Sequence, residues 1–254
     1  MPCYAERLGN CAGALTLEHW ISRSVLDLAG TRLRVAGLPG QQRHKSAEIG
    51  AGSLASRILC KKHNEELSPI DAAGTTFLSG LHASFKDLNK SQFLEKAVEI
   101  PGRLLELWLL KVYCGLLTVH RIAAIPPVLV EILFGQQAWP ECEGLYVLTP
   151  EDGNAAWRFQ LVRVELVFNE SRTRIVGAKF GLGGFALLLA FGKPRKQGPG
   201  GVEAQHRPGA IVLEREGRAH RYAFSWDDNG KHGTMHCTLL SKVHHPDRST
   251  RFLV

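Results

Sequence analysis

The sequence lacks the long apolar runs and the cysteine pattern of a membrane or secreted protein. Its longest apolar stretches, residues 104–117 and 185–191, are shorter than the roughly 20 residues that a bilayer-spanning helix needs. The six cysteines follow no dense disulfide pattern, and the N-terminus lacks the charged-then-apolar layout of a signal peptide. These absences predict a cytoplasmic protein with reduced thiols and no membrane segment.

A concentration of charge of one sign is also missing. The net charge of +7 over 254 residues is spread along the chain, so neither end is a basic tail. A positive balance favours acidic partners such as nucleic acid without requiring them. The one local excess is residues 31–45, "TRLRVAGLPGQQRHK", which could face a phosphate backbone or form a solvated loop.

Helical patterns follow in the middle of the chain. Ser68, Pro69 and Asp71 are typical of a helix start, and apolar residues at spacings of three and four continue the pattern to residues 86–89. Residues 102–122 are apolar on all sides, which predicts a buried helix, and a shorter helix is expected at residues 128–134.

After Gly135 the sequence becomes rich in β-branched and aromatic residues. This texture predicts two hairpins and two further strands, at residues 158–180, 210–226, 185–192 and 234–240. The Pro- and Gly-rich residues 193–209 predict a mobile loop. We therefore expect an α+β fold with an N-terminal module at residues 1–88, a helical segment at 89–135 and an antiparallel β-rich domain at 136–254.

Four residues near the N-terminus could form one tetrahedral metal site. Cys60 and His63 are three positions apart, so two side chains of one turn can hold the same ion. Cys3 and Cys11 would supply the other pair, although their separation exceeds the usual gap of about two to four residues. Thiolate and imidazole ligands suit structural Zn²⁺. The alternative is that the cysteines are free thiols and the histidine only caps a turn.

Several short motifs follow one another along residues 1–80. After the first cysteine pair come "LTLEHWISRS", then "LCKKHN", then "LSPID". This order resembles the HNH endonuclease superfamily, whose members have a ββα-metal fold. The resemblance implies a zinc knuckle that holds a short hairpin and a helix together, with an acid-His dipeptide between the two ligand pairs.

The resemblance also implies roles for individual residues. His19 matches the general base, Glu18 matches the acidic metal ligand that precedes it, and Asn64 matches the helix residue that completes the catalytic metal site. A Mg²⁺ or Mn²⁺ ion would stabilise charge on the leaving group, and a neutral imidazole can take a proton from the attacking water. The implied activity is hydrolysis of DNA phosphodiester bonds in a prokaryotic cell. Candidate contacts to flanking phosphates are Arg23, Lys61 and Lys62.

The chain departs from the family pattern at three places. The middle asparagine of the family falls around Ala55 and is absent, residues 23–56 form a longer excursion than the minimal motif, and His63 stands where a fourth cysteine is usual. A non-catalytic, zinc-dependent nucleic-acid-binding module is therefore the alternative function, and a knuckle that only closes the fold is a third. The C-terminal half could bind substrate, a protein partner or a second copy of the chain.

Overall fold

The described part of the protein covers most of the chain. The computed structural model describes residues 2–29, 32–36, 46–88, 96–148, 154–155, 163–182, 185–192, 204–228, 232–239 and 251–253. Most of the Pro- and Gly-rich loop, residues 193–203, lies outside these ranges, as do residues 31 and 37–45 of the basic stretch.

The helices of the described part agree well with the sequence patterns. The helices are α1 (Arg23–Ala29), α2 (Lys61–Glu66), α3 (Ser68–Leu88), α4 (Gly102–His120) and α5 (Pro127–Leu133). The three helices predicted from sequence patterns are confirmed as α3, α4 and α5, with bounds within a few residues of those expected. Helix α2 begins directly after Cys60 and contains Asn64, as the resemblance implied, whereas α1 was not predicted. Among these described helices, none has the length and apolar character required to cross a bilayer.

The strands form three sheets. A small antiparallel pair joins β1 to β4, an eight-stranded sheet has the order β11-β6-β10-β9-β8-β15-β2-β3, and a five-stranded sheet has the order β5-β13-β12-β14-β7. The bounds of the first eight strands are β1 (Leu15–His19), β2 (Arg32–Ala36), β3 (Ser46–Gly50), β4 (Ala55–Cys60), β5 (Lys96–Pro101), β6 (Gly144–Leu148), β7 (Asn154–Ala155) and β8 (Arg163–Phe168). The others are β9 (Ile175–Leu182), β10 (Phe185–Ala190), β11 (Ala204–His206), β12 (Ala210–Arg215), β13 (Arg218–Ser225), β14 (Thr234–Leu239) and β15 (Arg251–Leu253).

The α+β class is confirmed, and the pairing of the strands corrects two expectations. The hairpins β8–β9 and β12–β13 are antiparallel as predicted, but β14 runs parallel to β12, and β5 runs parallel to β13. The β-rich part is therefore mixed rather than purely antiparallel. Strand β5 also lies within the segment 89–135, which was expected to be helical. This strand was not predicted because its pairing partner, β13, is more than a hundred residues away in the chain.

Both large sheets cross the predicted module boundaries. Strands β2 and β3, from the N-terminal module, join the sheet that contains β8, β9 and β10, while β5 joins the sheet of β12 and β13. Pairing of this kind depends on distant parts of the chain, which local sequence patterns do not report.

Helix α4 forms the centre of the molecule. Its side chains from Leu105 to Leu117 are buried, including the two charged residues Glu106 and Lys111. Glu106 accepts hydrogen bonds from the backbone N–H of Leu145 and from the guanidinium of Arg207. Buried charges are retained only when paired, and the partners of Lys111 lie at the candidate functional site.

Candidate metal centre

The structure brings the four predicted zinc ligands together. Cys3 lies near the N-terminus, Cys11 in the loop before β1, Cys60 at the end of β4 and His63 in α2. One potential ligand atom from each residue lies within 4.8 Å of the corresponding atoms of the other three. The His63 Nδ1 atom is 3.4 Å from the Cys3 sulfur, 3.6 Å from that of Cys11 and 3.3 Å from that of Cys60.

These separations fit a tetrahedral ion. With a Zn–S bond of about 2.3 Å and a Zn–N bond of about 2.0 Å, the edge between sulfur and nitrogen of a tetrahedron is roughly 3.5 Å. The three observed distances lie within about 0.2 Å of this value. The group can therefore hold a metal such as zinc with only small adjustments of the side chains.

Backbone hydrogen bonds hold the loop of Cys11 against α2. The N–H groups of Lys61 and Lys62 donate to the carbonyl oxygens of Ala14 and Ala12, at 3.0 and 3.3 Å. Gly13 lies between these two alanines with a φ of +76°, and a Cβ atom there would be 2.9 Å from the Cβ of Lys61. The close approach and the left-handed backbone both require glycine at this position.

His63 is oriented by two residues that the sequence analysis did not identify. Its Nε2 atom donates to the side-chain oxygen of Asn10 at 2.7 Å, which leaves Nδ1 free to face the three sulfurs. The ring of Phe134, at the end of α5, packs edge-on against the imidazole with 4.9 Å between centroids. A hydrogen bond to the distal nitrogen is the usual support of a histidine ligand. Asn10 lies next to Cys11 in the sequence, which was the only available signal.

The acid-base properties of the thiols also favour a bound cation. Burial raises the pKa of Cys3, and burial together with the hydrogen bond from Cys3 raises the pKa of Cys11 to about 12. Burial alone would raise the pKa of Cys60, but hydrogen bonds from the backbone at His63 and Ala12 and from the thiols of Cys11 and Cys3 together lower it. Burial lowers the pKa of His63, so its imidazole is neutral and can act as a ligand. A cation would allow the remaining thiols to ionise together.

Glu18 is paired with helix α4 and not with Asn64 in the described part of the chain. Its carboxylate is buried on β1 and forms an ion pair with the Lys111 ammonium of α4. The same ammonium donates to both carboxylate oxygens of Asp71 in α3, at 2.6 and 2.8 Å. Burial raises the pKa of Glu18, and Lys111 partly offsets this effect. Lys111 was detectable in the sequence only as a charge inside an apolar helix.

His19 and Asn64 lie on neighbouring elements but have different surroundings. Asn64 donates from its Nδ2 atom to the hydroxyl of Thr16, on β1, at 2.9 Å. The Nε2 atom of His19 is buried and has no hydrogen-bond partner among the described residues. Burial, followed by the charges of Arg23 and Lys111, lowers the pKa of His19, so the imidazole is neutral at pH 7. Within the described ranges, no hydrogen bond or ion pair joins Glu18, His19 and Asn64 to one another.

The residue opposite His19 is Ala55. The two residues are Cα partners in the β1–β4 pair, and Glu18 is opposite Ser56. The position at which the family pattern expects an asparagine is therefore adjacent to His19 in space, and it offers only a methyl group. His19 must be oriented by other contacts.

The three candidate phosphate contacts each have an acidic neighbour one helical turn away. Arg23 pairs with Asp27 at 2.8 Å. In α2, Lys61 lies 3.9 Å from Glu65, and Lys62 lies 3.8 Å from Glu66. Exposed pairs of this kind are weak, about 0.3–0.5 kcal/mol, so these cations can exchange an acid for a phosphate.

No family model, curated protein or solved structure matches this chain. The residues of the chain and their arrangement are therefore the basis for assigning a function.

Proposed function

We propose that this protein acts on nucleic acid through a zinc-stapled module of the ββα-metal type, formed by β1, β4 and α2. The supporting observation is the group of Cys3, Cys11, Cys60 and His63 at the junction of β4 and α2. Zinc bound there would fix the start of α2 against β4 and hold the loop before β1. Asn64 is the next residue after His63, so the metal centre would also set the position of its side chain.

We further propose that the module hydrolyses phosphodiester bonds with His19 as the general base. A neutral imidazole can accept a proton from a water molecule, and the lowered pKa of His19 favours that neutral form. The cations of Arg23, Lys61 and Lys62 would contact flanking phosphates.

The residues expected to hold a catalytic Mg²⁺ or Mn²⁺ ion do not fit that role in the observed arrangement. Glu18 is buried and paired with Lys111, and no contact links it to Asn64 within the described residues. A divalent ion would have to displace the ammonium from Glu18. We therefore derive no catalytic step through such an ion.

The pairing of Glu18 with Lys111 favours a second candidate function. A zinc-stapled module without a catalytic ion would bind nucleic acid and not cut it. Ala55 opposite His19 is consistent with such a non-catalytic protein, since β4 supplies no polar side chain at that position to orient a base.

Zinc content, plasmid nicking and DNA binding separate these functions. Zinc would be measured in the purified protein, and nicking of supercoiled plasmid would be followed with Mg²⁺ or Mn²⁺ for the native chain and for His19→Ala. The matched control is His236→Ala, because the His236 side chain is 61% exposed on β14 and pairs with Glu214 at the surface. Loss of a general base is expected to slow nicking by about 10²- to 10⁴-fold.

The outcomes are distinct. Nicking that is lost in His19→Ala and kept in His236→Ala supports the nuclease. Zinc-dependent binding of a labelled duplex without nicking supports the second function. The logarithm of the binding constant should then fall linearly with the logarithm of the salt concentration. A zinc-containing protein that neither binds nor cuts DNA would refute both functions. A purified protein without zinc would refute the proposed metal centre.

A further inference from the structure

Residues 18–22, the segment that carries His19, contact α4 and its polar partners at both ends. At the first end, the Glu18 carboxylate pairs with Lys111. At the other end, the Ser22 hydroxyl donates to Asp71 at 2.5 Å and accepts from the Trp108 indole N–H at 2.7 Å. Because Lys111 also holds Asp71, the two ends belong to one network of polar contacts, and all but one of its side chains are buried.

The middle of the segment packs on the same helix. A Cβ atom on Gly115 would lie 2.4 Å from the Cβ of Trp20, so this close approach exists only because the residue is glycine. Trp108, Lys111 and Gly115 are spaced by three and four residues and therefore share one face of α4. That face contacts Ser22, Glu18 and Trp20, the even-numbered residues of the segment.

His19 lies inside this clamped segment, and its side chain forms no hydrogen bond or ion pair with the residues that the structure describes. It is only partly buried, and its partner on β4 is Ala55. We infer that Glu18, Ser22, Asp71, Trp108 and Lys111 are positioning residues that set the orientation of the His19 imidazole. In this role Glu18 is a structural anion, which accounts for its pairing with an ammonium. The catalytic part of this inference rests on the proposed nuclease function, whereas the orientation of His19 does not.

Ser22→Ala tests the clamp without altering charge. The substitution removes two hydrogen bonds and should leave zinc content unchanged, since Ser22 contacts none of the four ligands. The matched control is Ser24→Ala, which removes the hydroxyl contact between Ser24 and Thr75 of α3 just outside the clamped segment. Ser22→Thr keeps the hydroxyl and should restore the native behaviour.

The first readout is independent of cleavage. Acylation of each histidine by diethyl pyrocarbonate would be followed by mass spectrometry at a fixed, mildly alkaline pH, with the exposed His236 as the internal reference. We expect His19 to react several-fold faster in Ser22→Ala, and at the native rate in Ser24→Ala and Ser22→Thr. An unchanged His19 rate in a folded, zinc-loaded Ser22→Ala protein would overturn the inference.

The second readout is the nicking reaction itself. A misplaced base should lower kcat by about 100-fold and leave KM nearly unchanged, because displacements of about 1 Å have effects of that size. A loss of global stability would speed the acylation of other partly buried histidines, such as His120, along with that of His19, whereas loss of the clamp should affect His19 selectively. If the native protein does not nick DNA, the nuclease proposal fails, and the acylation rates still decide whether the clamp orients His19.

Discussion

Removing the ammonium of Lys111 should strongly destabilise the protein. In Lys111→Met, a side chain of similar length replaces the lysine and leaves the carboxylates of Glu18 and Asp71 without their counter-ion. The side chains of Glu18 and Lys111 are 6% and 2% exposed, whereas that of Asp71 is 30% exposed. Glu18 therefore carries most of the cost, because water can still solvate Asp71.

The magnitude follows from the burial of this pair. Removing one partner of a buried ion pair costs about 3–5 kcal/mol, and we expect a value near 3 kcal/mol because Asp71 is partly solvated and Glu18 can take up a proton. A domain is stable by about 5–15 kcal/mol, so this is a large share. In Glu18→Gln/Lys111→Met, the buried charge is also removed, and part of the lost stability should return.

The effect should depend on pH with a defined sign. Without Lys111, burial raises the pKa of Glu18 in the folded state above that in the unfolded state. The folded state then binds the proton more tightly, so the deficit of Lys111→Met is full above the folded pKa. It should shrink as pH falls through that raised pKa toward the unfolded-state value, which a comparison at about pH 8 and about pH 5 would detect. The double variant should lack this part of the pH dependence.

Urea unfolding of the zinc-loaded proteins, followed by tryptophan fluorescence, measures these differences. The free energies of unfolding would be compared among native protein, Lys111→Met and the double variant at both pH values. A deficit below about 0.5 kcal/mol for Lys111→Met, the size usual for surface substitutions, would show that Glu18 and Lys111 are not a buried pair.

Three further predictions concern the metal centre and its support. Zinc affinity should rise with pH, because the raised pKa values of Cys3 and Cys11 require at least two protons to leave on binding. Competition with a chromophoric chelator at two pH values measures the affinity, and equal affinities at both would contradict the prediction. Asn10→Ala should weaken zinc binding by about 10- to 100-fold in the same assay, since it removes the acceptor for the imidazole of His63, and equal affinity would refute its supporting role. Gly115→Ala should lower the melting temperature through its clash with Trp20, at a cost of about 1–3 kcal/mol, and a stabilised variant would show that α4 can shift to accommodate a methyl group.

The metal ligands could be predicted from the sequence because their chemistry is local. Cys60 and His63 lie within one turn, and few other residue types bind zinc, so their spacing was informative. The supporting residue Asn10 could not be predicted in the same way, because its role depends on which nitrogen of His63 faces the sulfurs. Amide side chains have many uses, and adjacency to Cys11 does not single this one out.

The surroundings of Glu18 could not be predicted from the sequence. The dipeptide Glu18-His19 matches a family motif, but its carboxylate pairs with Lys111, which is 93 positions later in the chain. The pattern of α4 predicted burial and did not reveal what its charged residues contact. Whether an acid binds a metal or an ammonium is decided by the helix that packs against it.

The sequence by itself determined the helices α3, α4 and α5, the two hairpins and the four ligands of the candidate metal centre. Each depends on contacts over a few residues, or on side chains whose chemistry allows few alternatives. Only the tertiary structure decided how the strands pair, with β5 and β14 parallel to their neighbours, and how Glu18 is neutralised. Such features depend on which distant surfaces pack together when apolar area is buried, and short sequence patterns do not show which surfaces these are.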